Sequence, residues 1–140
     1  MNKHYTAMSK SMVIGMVIIG GSFSCQSTEE LKKEQYFVEG HRLYQANCTN
    51  CHQDDGAGMA QLYPSISGST LLGNDARLAC LIKNGSSGIG ELNRPMPGNP
   101  KLTDLEIAEI ISYLNMKWKS DTISYTPTEF VHEALKNCKN

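Results

Sequence analysis

The 140-residue sequence has no apolar run long enough to cross a bilayer. Its N-terminal run, 12–20, falls far short of the ~20 residues a transmembrane helix needs, which favours an export signal over a stable span. Acidic residues are missing from the N-terminus: all 14 lie after Cys25, whereas Lys3 and Lys10 precede it. An excess of either sign is lacking as well, since the formal net charge is −1. No nucleic acid or other polyanion is therefore expected as a partner. The length leaves room for one compact domain. Cysteine is scarce, with five in the chain, so each can be considered in turn.

Residues 1–24 read as a signal peptide with a positive start and a short apolar centre. They end at Ser22-Phe23-Ser24-Cys25. Small residues before a Cys resemble a bacterial lipoprotein signal, which implies cleavage before Cys25 and lipidation of its thiol. Ser22 departs from that pattern, which has an aliphatic residue at that position. An ordinary secreted protein is the other reading, and both place the chain outside the cytoplasm. Residues 25–33 are polar and read as a tether.

Cys48-Thr49-Asn50-Cys51-His52 is the chemical centre of the sequence. A bare Cys-x-x-Cys is ambiguous between zinc, a redox dithiol and haem, and the adjoining His shifts the reading to covalent haem attachment. Each thiol can add across a haem vinyl group, and His52 then supplies the proximal imidazole. A ligating His usually donates its second ring N–H to an acceptor that fixes tautomer and ring plane. Beyond a Gly-rich loop, Tyr63-Pro64-Ser65-Ile66-Ser67-Gly68 resembles the Pro-x-aliphatic-x-Gly pattern of class I c-type cytochromes, and that resemblance implies Pro64 as the acceptor through its carbonyl.

Around this motif the periodicity predicts helices. Residues 34–47 carry Tyr36, Phe37, Leu43, Tyr44 and Ala46 on one face, with Gly40 in the middle at a cost of about 1 kcal/mol relative to Ala. Residues 74–83 form a second helix with Leu78, Leu81 and Ile82 inward. Asn74 or Asp75 can cap its start and Asn84-Gly85 can stop it. Residues 86–99 are rich in Gly and Pro and read as a loop. A capping box, Thr103 with Glu106, opens a helix running to about Lys117, with Leu105, Ile107, Ala108, Ile110, Ile111, Leu114 and Met116 as its broad apolar face.

Met96 stands between Pro95 and Pro97 in the loop before that helix. A Met so flanked cannot lie in a helix interior, and a rigid loop loses little entropy when its thioether is fixed. It is the candidate sixth ligand to iron, against the ordinary role of Met as core filler. Met59 follows His52 too closely to reach the opposite haem face easily, and Met116 falls on a helix. His41 and His132 read as partly exposed helix residues. Lys32, Lys33, Lys117 and Lys119 read as solvated charges.

In order and spacing, these features resemble class I monohaem c-type cytochromes over about 36–118. The resemblance implies a small all-α fold with one covalent haem c, held by Cys48 and Cys51 and ligated axially by His52 and Met96. It implies that Gly40 admits the C-terminal helix at contact distance, with Tyr113 as the packing aromatic. Tyr44 matches the family's aromatic four residues beyond that Gly. The implied function is one-electron transfer without catalysis, between redox protein partners, on the periplasmic side of a membrane. A fixed subunit of a dehydrogenase or oxidase complex is the alternative. A haem-based sensor or peroxidase is a third possibility and requires a labile sixth ligand. Trp118 closes the fold or shields a haem edge.

The haem domain is expected over 34–119, with a linker and docking helix over 120–140. In the latter, Thr126 to Glu129 reads as a capping box with Pro127 at the first helical position. Phe130, Val131, Ala134 and Leu135 give a short stripe, and so short a helix needs something to dock on. Cys80 and Cys138 remain as an even pair in a compartment that permits disulfides, so a bridge is expected. Two free thiols are the alternative. A zinc site joining them to Cys48 and Cys51 lacks the usual close spacing.

Overall fold

The computed structural model describes residues 27–60, 62–88, 95–120 and 124–138. The export signal and Cys25 lie outside them. The fold is all-α apart from one two-residue strand pair: α1 (Thr28–Asn47), α2 (Thr49–His52), α3 (Asp75–Asn84), β1 (Gly85–Ser86), β2 (Met96–Pro97), α4 (Asp104–Trp118) and α5 (Thr128–Lys136). Among the described residues no helix is long and apolar enough to cross a membrane.

Helix α1 begins earlier than periodicity predicts, so the tether expected over 25–33 is helical from Thr28. Ser27 Oγ accepts the Glu30 amide at 3.2 Å, and Glu29 and Glu30 complement the positive end of the helix. Polarity misled the reading here, because Glu and Lys are good helix formers whether or not they are buried.

The α1–α4 crossing is built at Gly40. A Cβ there would run into the Glu109 carbonyl oxygen and stand 2.7 Å from both the Glu109 carbonyl carbon and Tyr113 Cβ. The missing side chain is what lets the two backbones meet. Tyr113 then packs against Phe37, His41 and Tyr44 at centroid distances of 5.3, 5.1 and 5.5 Å. Leu43, Tyr44, Ile107, Ile110, Ile111 and Leu114 fill the core between these helices. The capping box forms as expected, with Thr103 Oγ1 accepting the Glu106 amide and Glu106 Oε2 accepting the Thr103 amide. Leu105 differs from the expected face and is exposed, on the first turn of α4.

The stretch expected as plain loop over 86–99 contains β1 and β2, paired antiparallel with Gly85 opposite Pro97 and Ser86 opposite Met96. Two glycines make the pairing possible. A Cβ on Gly85, whose φ is +77°, would overlap the Met96 carbonyl and the Gly98 amide, and one on Gly98 would meet Lys83 O and Gly85 N.

At the tail, α5 starts at Thr128 without a side-chain cap. The Thr126 hydroxyl, expected to cap it, donates instead to Asp75 Oδ2 at 2.7 Å. A charge-assisted bond to a partly buried carboxylate is stronger than a neutral one, and it holds the hydroxyl where it caps no α5 amide. Val131 is fully buried against the core, whereas Phe130, placed on the same stripe by the sequence reading, is exposed.

Candidate functional site

Cys48, Cys51 and His52 lie on one tight turn. The His52 amide donates to Cys48 O at 2.9 Å and the Cys51 amide to the same oxygen at 3.2 Å. Both thiols are unbonded and half-buried. Burial, with Cys51 adding to it, pushes the Cys48 thiol up to about 12.

His52 Nδ1 lies 3.0 Å from the Pro64 carbonyl. A carbonyl only accepts, so Nδ1 carries the hydrogen and Nε2 keeps its lone pair. Burial lowers the imidazole's pKa, against an opposing pull from the Pro64 bond. A neutral imidazole with a free Nε2 is the form that ligates iron.

The loop after His52 holds Pro64 in place. Gln53 leaves the turn with φ of +61°, and its carbonyl accepts the buried Tyr44 hydroxyl at 2.6 Å. Gly56 O accepts the amides of Ile66 and Ser67, and the Gly58 amide returns to His52 O at 3.0 Å. A Cβ on Gly58 would stand 2.7 Å from the Pro64 carbonyl oxygen itself. Gly56 presses on Trp118, which meets Tyr44 and Tyr113 edge-on at 5.5 and 5.6 Å. Trp118 therefore closes the loop onto the α1–α4 pair. Beyond it Met59, Leu62 and Tyr63 expose apolar surface on the same loop.

Met96 belongs to a second unit. Its strand is fastened to the end of α3 by the β1–β2 ladder, by the Asn99 amide to Ile82 O at 2.9 Å, and by Lys83 Nζ to Leu102 O at 2.6 Å. Asn99 Nδ2 also donates to Asn47 Oδ1 at 3.0 Å, one residue before Cys48. That contact links the Met96 segment to the thiol turn, and neither Asn carried a signal in the sequence. Met59 is exposed and Met116 is buried in α4. His41 stacks on Tyr113, and His132 Nδ1 pairs with Asp104 Oδ2 at 2.7 Å.

Cys80 and Cys138 are joined in a disulfide. Among the described residues no group of three or more His, Cys, Asp or Glu side chains converges on a metal-ion position. The four-cysteine zinc arrangement is therefore not formed.

These donors fit a covalent haem. Two free thiols and a neutral, oriented imidazole share one turn, and an apolar flank of Met59, Leu62 and Tyr63 stands exposed on the loop that follows. A family model described as Cytochrome c matches residues 37–118. Among curated proteins, the chain is 28% identical over 100 residues to "Alcohol dehydrogenase (quinone), cytochrome c subunit" of Gluconobacter oxydans (strain 621H), covering 66% of this chain and 21% of that protein. It is 28% identical over 88 residues to proteins of the same description from Gluconacetobacter polyoxogenes and Komagataeibacter europaeus, covering 58% of this chain and 19% of each. The chain thus spans about a fifth of the length of the curated relatives it matches.

Proposed function

This chain belongs to the cytochrome c family, a family of electron carriers with covalently bound haem c, and on that premise we propose that it is a one-electron carrier with His52 and Met96 as axial ligands. The haem, when bound, supplies a single-electron Fe(II)/Fe(III) couple. The observation that carries the reading is the turn itself: Cys48 and Cys51 free for thioether formation, and His52 with Nδ1 committed to Pro64 O and Nε2 free.

The chain's own residues divide the work. Cys48 and Cys51 hold the group covalently, so it is not lost when oxidation state changes. Pro64 fixes the imidazole plane and tautomer, and Gly56 and Gly58 keep the loop close enough for it to do so. Met96 supplies a soft thioether, which favours Fe(II) and raises the potential relative to harder ligands. With His52 and Met96 both holding the iron, a bound haem would offer no open position to a substrate.

The test is direct. Acidic organic extraction of the holoprotein should leave the haem on the polypeptide, and a redox titration should follow a single-electron curve with low-spin spectra at both ends. Haem recovered in the solvent phase, or reduced protein that binds carbon monoxide readily, would sink the carrier reading and favour a sensor or peroxidase.

A second reading, a fixed subunit of a dehydrogenase complex, draws support from the relatives, each described as a cytochrome c subunit of a quinone alcohol dehydrogenase. Co-purification of a stoichiometric partner from native membranes distinguishes it from a free carrier. In either reading the chain is exported and held at a membrane by lipid on Cys25. Cys25→Ser is expected to release the protein to the soluble fraction or to stop its processing. Intact protein that stays on membranes with an unmodified Cys25 thiol would overturn the anchor.

A further inference from the structure

The family match ends at Trp118, yet the chain continues into a segment that is built into the fold. Its first attachment is polar and largely buried. Asp75 opens α3, and its two carboxylate oxygens accept Thr126 Oγ1 at 2.7 Å and Asn115 Nδ2 at 2.8 Å. Asn115 Oδ1 accepts the Gly73 amide, and the Thr126 amide donates to Ser112 Oγ at 2.8 Å. One carboxylate thus joins the start of α3, the C-terminal half of α4 and the entry to α5. The second attachment is covalent: Cys138, just past α5, is bridged to Cys80 in the middle of α3. Between them Val131 is driven fully into the core.

Helix α3 is therefore held at two points by this segment. What α3 carries at its other end is the Met96 strand. Asn84 leads directly into β1, and β1 pairs with β2 at Ser86–Met96. Cys80, Leu81, Gly85 and Met96 line one cavity of about 460 Å³, so the bridged half-cystine and the candidate ligand share a wall. A shift or tilt of α3 would move Met96 with it, because Gly85 and Gly98 leave the two strands no slack between them.

We propose that residues 126–138 act as a clamp on α3 that positions Met96 for iron ligation, with Asp75 and the Cys80–Cys138 bridge as its two fastenings. These are positioning residues, acting through α3 and the β1–β2 pair, and the proposal rests on the Met96 reading. Its consequence is that releasing the clamp loosens one axial bond without unfolding the protein. The fraction of molecules with an open sixth position rises, and external ligands enter in proportion to that fraction.

The experiment compares oxidised and reduced holoproteins at a temperature where far-UV ellipticity equals that of wild type. Two preparations lack the bridge: a Cys138→Ser variant, and wild type reduced with a phosphine, blocked with N-ethylmaleimide and reoxidised. The second stands in if the first does not accumulate. Thr126→Val removes one arm of the Asp75 fastening independently. The expected result is a weakened far-red sulfur-to-iron band and a roughly tenfold rise in the rate of carbon monoxide uptake by the reduced form, tracking the open fraction. Thr126→Val should move both in the same direction by less. Met96→Ala supplies the fully open reference. A band of unchanged amplitude and unchanged carbon monoxide uptake in bridge-free protein overturns the clamp while leaving Met96 as ligand. Absence of the band in untreated wild type overturns the ligand assignment and the clamp with it.

Discussion

Met96→Ala is expected to abolish the far-red sulfur-to-iron charge-transfer band of the oxidised protein, to lower its reduction potential and to admit carbon monoxide to the reduced form. Thioether sulfur stabilises Fe(II), so its removal shifts the balance toward Fe(III). The drop should be on the order of 0.1 V or more, a modest part of the ~0.8 V over which axial ligands move haem potentials. The haem should stay attached, because Cys48 and Cys51 lie on α2 and its preceding residue, outside the Met96 unit. The fold should also survive. Met96 is only partly buried, and its strand keeps the Asn99–Ile82 and Lys83–Leu102 bonds, which use other atoms. An unchanged band in Met96→Ala would remove Met96 as ligand. Met59 and Met116 are the other methionines among the described residues, and Met116 is buried in α4.

The second large effect is on stability and falls at Gly40. Two forces oppose each other there. Replacing a helical Gly by Ala gains about 1 kcal/mol of helix propensity. Overpacking typically costs ~1–3 kcal/mol, and more when the obstructing atoms are backbone. At Gly40 they are backbone: the Glu109 carbonyl, with Tyr113 Cβ beside it, atoms that cannot rotate aside. Gly40→Ala is therefore expected to be destabilising in spite of its better propensity. Gly40→Val adds two further carbons and gives back most of the propensity gain. Its thermal midpoint should fall by roughly 10 °C or more, as a loss of ~3 kcal/mol implies for a domain of this size. Differential scanning calorimetry of the holoproteins checks it, and a midpoint equal to or above that of wild type for Gly40→Val would show that α1 and α4 do not meet as described. Separation of the two helices should also hydrate Glu109. Burial, with Glu39 and Glu106 adding to it, raises that carboxyl's pKa, so the variant's value should return toward the ordinary range.

The sequence by itself determined the chemistry. Cys48, Cys51 and His52 are adjacent along the chain, so one turn of backbone suffices to bring them together, and no distant contact was needed to read their purpose. The capping box at Thr103 and the stop at Gly85 were legible for the same reason: each acts within three or four residues of itself. Gly40 and Pro64 were legible as oddities, a Gly in a helix and a Pro beyond the motif, although their partners were supplied by family resemblance and not by any local rule.

Only the tertiary structure decided which polar groups face each other across the fold. Thr126 reads as a helix cap from its neighbours, yet its hydroxyl goes to Asp75, some fifty positions earlier in the chain, because α5 packs beside the start of α3. Asn47 and Asn99 are unremarkable letters until folding sets them 3.0 Å apart and ties the Met96 segment to the thiol turn. The start of α1 was missed for a different reason. Burial periodicity detects only helices that have something to bury, whereas residues 28–33 are helical through capping and propensity while mostly exposed. Local chemistry is written in neighbouring residues. Long-range geometry depends on which surfaces the core brings together, and the core is a property of the whole chain.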